Sequence, residues 1–143
     1  MDKTKVKVKK LHEDAKLPIH ASDFAAGCDF YSIEEVNLES GKTIKVRTGL
    51  AIEMPTTHYL RIEDRSGMAI KGIHKVGGII DSDYRGEISI ILHNSSGENY
   101  KIEKGDRIAQ GILTPVSQSD FVEVDQLSET SRGTQGFHST GKK

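Results

Sequence analysis

Thr43-Ile44-Lys45-Val46-Arg47-Thr48 alternates apolar and polar side chains, the period of two that a strand with one wet face requires. The same pattern recurs on either side of it. Upstream, Lys5, Lys7 and Lys9 interleave with Val6 and Val8, a solvated lysine face rather than a phosphate patch. Downstream come Tyr59-Leu60-Arg61-Ile62-Glu63, Gly86-Glu87-Ile88-Ser89-Ile90-Ile91-Leu92, Arg107-Ile108-Ala109-Gln110-Gly111-Ile112-Leu113 and Phe121-Val122-Glu123-Val124. Turn signals separate them: Ser40-Gly41, Pro55 and Asn94-Ser95-Ser96-Gly97. Short strands broken by turns every ~8–12 residues predict an all-β chain, a jelly-roll-like sandwich or barrel. The one helix expected is short, from Met68 to about Lys71, with Ser66 as its N-cap. Pro18 interrupts any helix in residues 12–26, which read as irregular.

Composition agrees. Ile and Val number 23 against 15 for Leu and Ala, and branched residues suit a pleated surface. At 143 residues the chain suits one domain with its own core. Lys+Arg 20 against Asp+Glu 21 gives a net charge of -1, so no basic field points to nucleic acid. No apolar run exceeds three residues, which excludes a transmembrane helix, and the charged N-terminus does not read as a signal peptide. A single cysteine, Cys28, fits a reducing compartment, cytoplasmic or nuclear. Asn94-Ser95-Ser96 matches a glycosylation acceptor and reads as a turn. From Ser128 the chain turns polar and glycine-rich, which predicts a core over residues 1–127 and a flexible tail over 128–143 with one stranded aromatic, Phe137.

Common catalytic signatures are missing: no G-x-x-x-x-G-K-[ST], H-E-x-x-H, C-x-x-C or G-x-S-x-G occurs. What stands out is Gly, Asp, Arg and Ser gathered in blocks. Ala26-Gly27-Cys28-Asp29-Phe30-Tyr31 reads as a turn opening a strand. Asp64-Arg65-Ser66-Gly67-Met68 offers a guanidinium and a hydroxyl to an anion, or else a capped turn with an Asp64–Arg65 surface pair. Gly77-Gly78-Ile79-Ile80-Asp81-Ser82-Asp83-Tyr84-Arg85-Gly86 reads as a hairpin whose glycines let something approach the backbone. Lys104-Gly105-Asp106-Arg107-Ile108-Ala109-Gln110 is again a turn entering a strand.

In order, these blocks and the tail's Arg132-Gly133-Thr134-Gln135-Gly136-Phe137-His138-Ser139-Thr140-Gly141 closely resemble the trimeric deoxyuridine triphosphate nucleotidohydrolases, the dUTPases. The resemblance spans residues 5 to 141 and implies a dUTPase-like fold. It also implies hydrolysis of dUTP to dUMP and pyrophosphate with Mg2+, which lowers dUTP and supplies dUMP for thymidylate synthesis. By the same resemblance, backbone groups of Gly78, Ile79 and Ile80 read uracil and Ser89 lines the slot. Tyr84 packs on the sugar and excludes a 2′-hydroxyl. Asp81 is the general base for the attacking water. Arg65, Ser66 and Gly67 hold the β- and γ-phosphates, and Gln110 contacts the α-phosphate region. Phe137 stacks on uracil, Arg132 meets the γ-phosphate, and His138 lies beside them. No side chain binds the metal directly: the triphosphate and water hold it, with Asp29 acting indirectly. Sites are shared between the subunits of a homotrimer, with no nucleic-acid or membrane partner.

Two positions depart from the family pattern. Asp64 stands where many relatives have proline, and is expected to point away from the phosphates; His138 replaces a glycine. Three other readings compete. A dCTP deaminase shares the fold but lacks a Phe-centred tail. A regulatory module would bind dUTP without turnover, against which Asp81 and Arg132 argue. A β-barrel nucleic-acid binder is disfavoured by the neutral charge.

Overall fold

The computed structural model describes residues 2–137. Ten strands and one helical turn follow in order: β1 (Lys7–Lys10), β2 (Cys28–Tyr31), β3 (Val36–Leu38), β4 (Thr43–Glu53), β5 (His58–Glu63), α1 (Ser66–Ala69), β6 (Ile73–Lys75), β7 (Ile79–Ile80), β8 (Ile88–Asn94), β9 (Tyr100–Ile102) and β10 (Arg107–Pro115). They form two four-stranded antiparallel sheets, β1-β4-β8-β6 and β2-β10-β5-β7, and a small β3-β9 ribbon. The fold is all-β with one short helix, as the sequence predicts. Among the described residues no helix is long and apolar enough to cross a membrane.

The core follows from the alternation. Ile88, Ile90 and Leu92 of β8 are fully buried beside Val46 and Leu50 of β4, and Phe30, Leu38, Ile102 and Ile108 close over them. Ser89, Ile91 and His93 therefore face the other way. The pattern in β4 changes at Gly49 (φ +69°), where the register slips between Arg47 and Leu50. There the bulged strand runs on buried from Thr48 to Ile52 under Ala15. A Cβ at Gly49 would lie 2.9 Å from that of Ala15, so only glycine fits. The lysine face of β1 is wet, and Lys7, bonded to Glu53 at 2.7 Å across the sheet, holds the glutamate's carboxyl below its ordinary range.

Three expectations need correction. No strand forms over residues 121–124: Phe121 is 93% and Val122 74% exposed, and among the described residues nothing offers them a neighbouring strand. The helical turn starts at Ser66, the capping position is Arg65, and no side chain caps it. Residues 79–80 and 88–94 do not pair as a hairpin, because β7 hydrogen-bonds to β5 in one sheet and β8 to β4 and β6 in the other. The Asp64–Arg65 surface pair, the alternative reading of that block, is not formed: Arg65 sits on Asp29, while an Asp64 oxygen accepts the Lys75 backbone N–H. Asp64 thus turns away from the arginine.

Asn94 is fully buried. Its Nδ2 donates to the carbonyls of Leu38 (2.9 Å) and Glu98 (2.7 Å), and its Oδ1 accepts from the Ser96 N–H (2.9 Å). The acceptor-like triplet is a turn whose amide is fully used.

Candidate functional site

Two clefts carry the residues picked out in the sequence. The first gathers the Gly27, Arg65 and Gln110 blocks. β10 lies between β2 and β5, with Gln110 paired to Asp29 on one side and Glu63 on the other. Asp29 accepts from Arg65 Nε at 3.2 Å through one oxygen and from Arg107 Nη1 at 3.4 Å through the other. One carboxylate therefore holds two guanidiniums side by side, which leaves a net positive cluster. Arg65 Nη1 also donates to the Arg107 carbonyl at 3.3 Å, and Gln110 Nε2 to that of Asp64 at 2.8 Å. A Cβ at Gly27 would sit 2.6 Å from Gln110 Oε1, so glycine is needed for the glutamine to lie there. Gly67 is different: nothing lies within 4 Å of where its Cβ would be, so packing within the chain does not require glycine. The adjoining cleft, of about 300 Å³, is lined by Arg65, Gly67, Lys71, Tyr100 and Arg107 among others, and Ser66 is exposed nearby.

The second cleft, about 270 Å³, is lined by Lys45, Ile79, Ile80, Asp81, Tyr84, Glu87, Ser89 and Ile91. Gly77 (φ +75°) and Gly78 (φ +124°) lead the chain into it. At Gly78 a Cβ would meet the Ile62 carbonyl at 2.9 Å, while the Gly78 carbonyl accepts the Ile62 N–H at 2.8 Å. The glycine thus locks Ile79 and Ile80 onto β5. Asp81 is exposed, and its carbonyl accepts the Tyr84 N–H at 3.2 Å in a turn. Tyr84 Oη donates to the Glu87 carbonyl at 3.0 Å, and its ring lies where a Cβ on Gly86 would be. Arg47 grips Glu87 with two bonds, of 2.9 and 3.1 Å, and is itself pushed up by that carboxylate.

Sequence reasoning missed Lys45, Glu87 and Ile91 in this cleft and Lys71, Tyr100 and Arg107 in the other. The alternation places Lys45 on the wet face, but its place near Asp81 depends on the pairing Lys45↔Ile91, which the local pattern does not contain. The two clefts share no lining residue. Neither holds Arg132 or Phe137 in the single chain: Arg132 Nε donates to the Gln135 carbonyl at 2.9 Å, and Phe137 is fully exposed. His138 lies outside the described residues.

The dUTPase family model matches residues 13–141, which takes in every one of these groups. The chain belongs to the dUTPase family. It is 46% identical over 141 residues to the deoxyuridine 5′-triphosphate nucleotidohydrolase of Nautilia profundicola, covering 96% of this chain and 99% of that one. It is 48% identical over 135 residues to that of Paramecium bursaria Chlorella virus 1, covering 94% and 96%. The dUTPase of Staphylococcus bacteriophage 80alpha, solved with dUPNHPP, superposes with a TM-score of 0.91 at 27% identity, covering 96% and 98%. A mutant dUTPase from phage phi11 of S. aureus, described with a structural Mg(II) ion, shares the fold at a TM-score of 0.82 and 23% identity, covering 87% and 99%.

Proposed function

We propose that this dUTPase-family chain is a dUTP diphosphatase that hydrolyses dUTP to dUMP and pyrophosphate. That reaction lowers dUTP and supplies dUMP for thymidylate synthesis. The observation that carries the reading is the division of labour between the clefts: a glycine-built slot with an exposed carboxylate, and a separate cluster with two guanidiniums on one carboxylate.

In the slot, uracil takes its hydrogen bonds from the backbone of Gly78, Ile79 and Ile80, which β5 holds rigid, with Ser89 on the opposite wall. Fixed backbone partners reject a base whose donors and acceptors are reversed, because they would be left unpaired. Tyr84, tied down through Glu87, packs on the sugar and leaves no room for a 2′-hydroxyl. Asp81 orients a water and takes its proton as the oxygen attacks the α-phosphorus. The α–β bridging bond then breaks and pyrophosphate leaves. An ionised aspartate is a weak base, so positioning and charge stabilisation carry most of the rate. Arg65, Ser66 and Gly67 hold the β- and γ-phosphates, Gln110 the α-phosphate region. Arg132 meets the γ-phosphate, Phe137 covers the base, and His138 stands next to it. This assigns residues 1–127 as the catalytic core and 128–143 as a closing tail, consistent with the last strand ending at Pro115.

Magnesium fits this arrangement as a cation carried by the nucleotide. Both Asp29 oxygens face arginines, and among the described residues no three His, Cys, Asp or Glu side chains converge on one point. A hard cation that keeps its waters and takes phosphate oxygens needs no protein cage, and when bound it neutralises charge on the triphosphate. The phage phi11 protein's structural Mg(II) is consistent with a metal in this fold. Because the clefts are separate in one chain, the complete site is shared between subunits of a homotrimer. The single half-buried Cys28 suits a cytoplasmic or nuclear setting. The test is pyrophosphate release from dUTP, dCTP, dTTP and UTP with magnesium. Release from dUTP alone is expected; ammonia release from dCTP at a comparable rate, which deamination to dUTP gives without pyrophosphate, would assign a deaminase instead.

A further inference from the structure

Arg47 is the last residue of β4 to pair with β8 before the bulge at Gly49; its partner is Ser89, and the ladder resumes at Leu50 with Ile88. Glu87 stands just outside that ladder, between Gly86 and the first residue of β8. Its side chain is held instead by Arg47, whose Nε donates to Oε2 at 2.9 Å and whose Nη2 donates to Oε1 at 3.1 Å. Arg47 is in turn anchored through its backbone: the N–H donates to Glu34 Oε1 and the carbonyl accepts the Ile33 N–H, both at 3.1 Å. Exposed ion pairs add little stability as a rule, but a two-bond guanidinium fork on a fixed strand sets a direction as well as a charge. What it holds is the residue whose carbonyl accepts the Tyr84 hydroxyl at 3.0 Å. Arg47 itself lines neither cleft.

We propose that Arg47 is a positioning residue for sugar selectivity: through Glu87 it fixes the acceptor of the Tyr84 hydroxyl, and with it the wall that meets the 2′ edge of the sugar. The proposal rests on the reading that Tyr84 excludes a 2′-hydroxyl. A wall rejects one extra oxygen only if it does not retreat. Tyr84 is tied at two points, by its N–H to the Asp81 carbonyl at 3.2 Å and by its hydroxyl to the Glu87 carbonyl. The first tie fixes the backbone of the turn, and the second fixes the far end of the ring. The ring is 44% exposed, so it has open space to tilt into once the second tie loosens. Gly86 has no side chain with which to brace Glu87, which leaves the carboxylate as the grip on that residue. Releasing it lets the Glu87 carbonyl swing and the tyrosine ring follow. UTP, which needs the wall to move, gains from this; dUTP, which fits with the wall in place, gains nothing. The effect of losing Arg47 therefore falls on discrimination between the two sugars.

The test measures kcat/KM for dUTP and for UTP, by pyrophosphate release with magnesium, in the parent and in Arg47→Met, Glu87→Gln and Tyr84→Phe, with Tm reporting that each variant folds. The parent should prefer dUTP strongly. Arg47→Met and Glu87→Gln should each raise UTP use relative to dUTP by about tenfold, through a gain in kcat/KM for UTP. Arg47→Lys keeps the charge and loses the fork, so its ratio should fall between; it carries the test if Arg47→Met does not fold. Tyr84→Phe should relax the ratio as well. Adding Arg47→Met to Tyr84→Phe should then change it by less than about twofold further, because both substitutions cut one tether. A parental ratio in the folded Arg47 and Glu87 variants, or effects that multiply in the Arg47→Met/Tyr84→Phe chain, would overturn the proposal and leave the role of Tyr84 standing. A parent that hydrolyses UTP as readily as dUTP would overturn the reading of Tyr84 and the proposal with it.

Discussion

Asp81 is exposed and lines a cleft with Lys45, Ser89 and Tyr84. If it serves the attacking water rather than the ligand, Asp81→Asn should lower kcat by roughly 100- to 10,000-fold while dUTP binding changes less than about tenfold. Single-turnover kinetics beside equilibrium binding separates the two, and wild-type kcat would remove Asp81 from the chemistry. Cys28 gives a pH prediction. Burial pushes its thiol up, and Sγ donates to the Gly111 carbonyl at 3.3 Å. The unfolded chain therefore gives up this proton more readily than the folded one. The thiol's contribution is complete below an ordinary cysteine pKa of about 8.5 and is lost as pH rises through the higher folded value. In urea melts, the stability difference between the parent and Cys28→Ala should shrink above pH ~9. The glycine at 78 was legible as a close backbone approach from sequence alone, whereas Gly27 read only as a turn and owes its place to the Gln110 side chain. The two arginines on Asp29 were not, because they join residues 36 and 78 positions away from it in the chain.

At the scale of elements, alternation located the long strands because one face of each packs on the core. It missed β3, β6, β7 and β9, which have two or three residues and too few alternations to register. It overshot at residues 121–124, where the pattern is present and the partner strand is not. The buried turn at the end of β8 carries its own prediction. Asn94→Ala strips the donor from the Leu38 and Glu98 carbonyls and the acceptor from the Ser96 N–H. Leaving such groups unpaired should cost about 2–4 kcal/mol of stability in urea denaturation. A loss below about 0.5 kcal/mol would mean that water replaces the amide.

For the whole molecule, the separation of the clefts matters most. Family resemblance supplied the roles, but the single chain keeps the Asp81 slot and the Arg65 cluster on linings with nothing in common. The proposed homotrimer resolves this by letting one chain's slot face another chain's arginines. Mixing two inactive variants tests that directly. Asp81→Asn and Arg65→Ala chains are unfolded together, refolded as a mixture and assayed for pyrophosphate release from dUTP. In a shared site, an intact Asp81 from one variant meets an intact Arg65 from the other. The mixture should therefore recover about a quarter of the parental activity, the statistical share of sites with both residues intact. Mixtures that stay as inactive as either variant alone, while the parent refolded in the same way is active, would contradict the shared site.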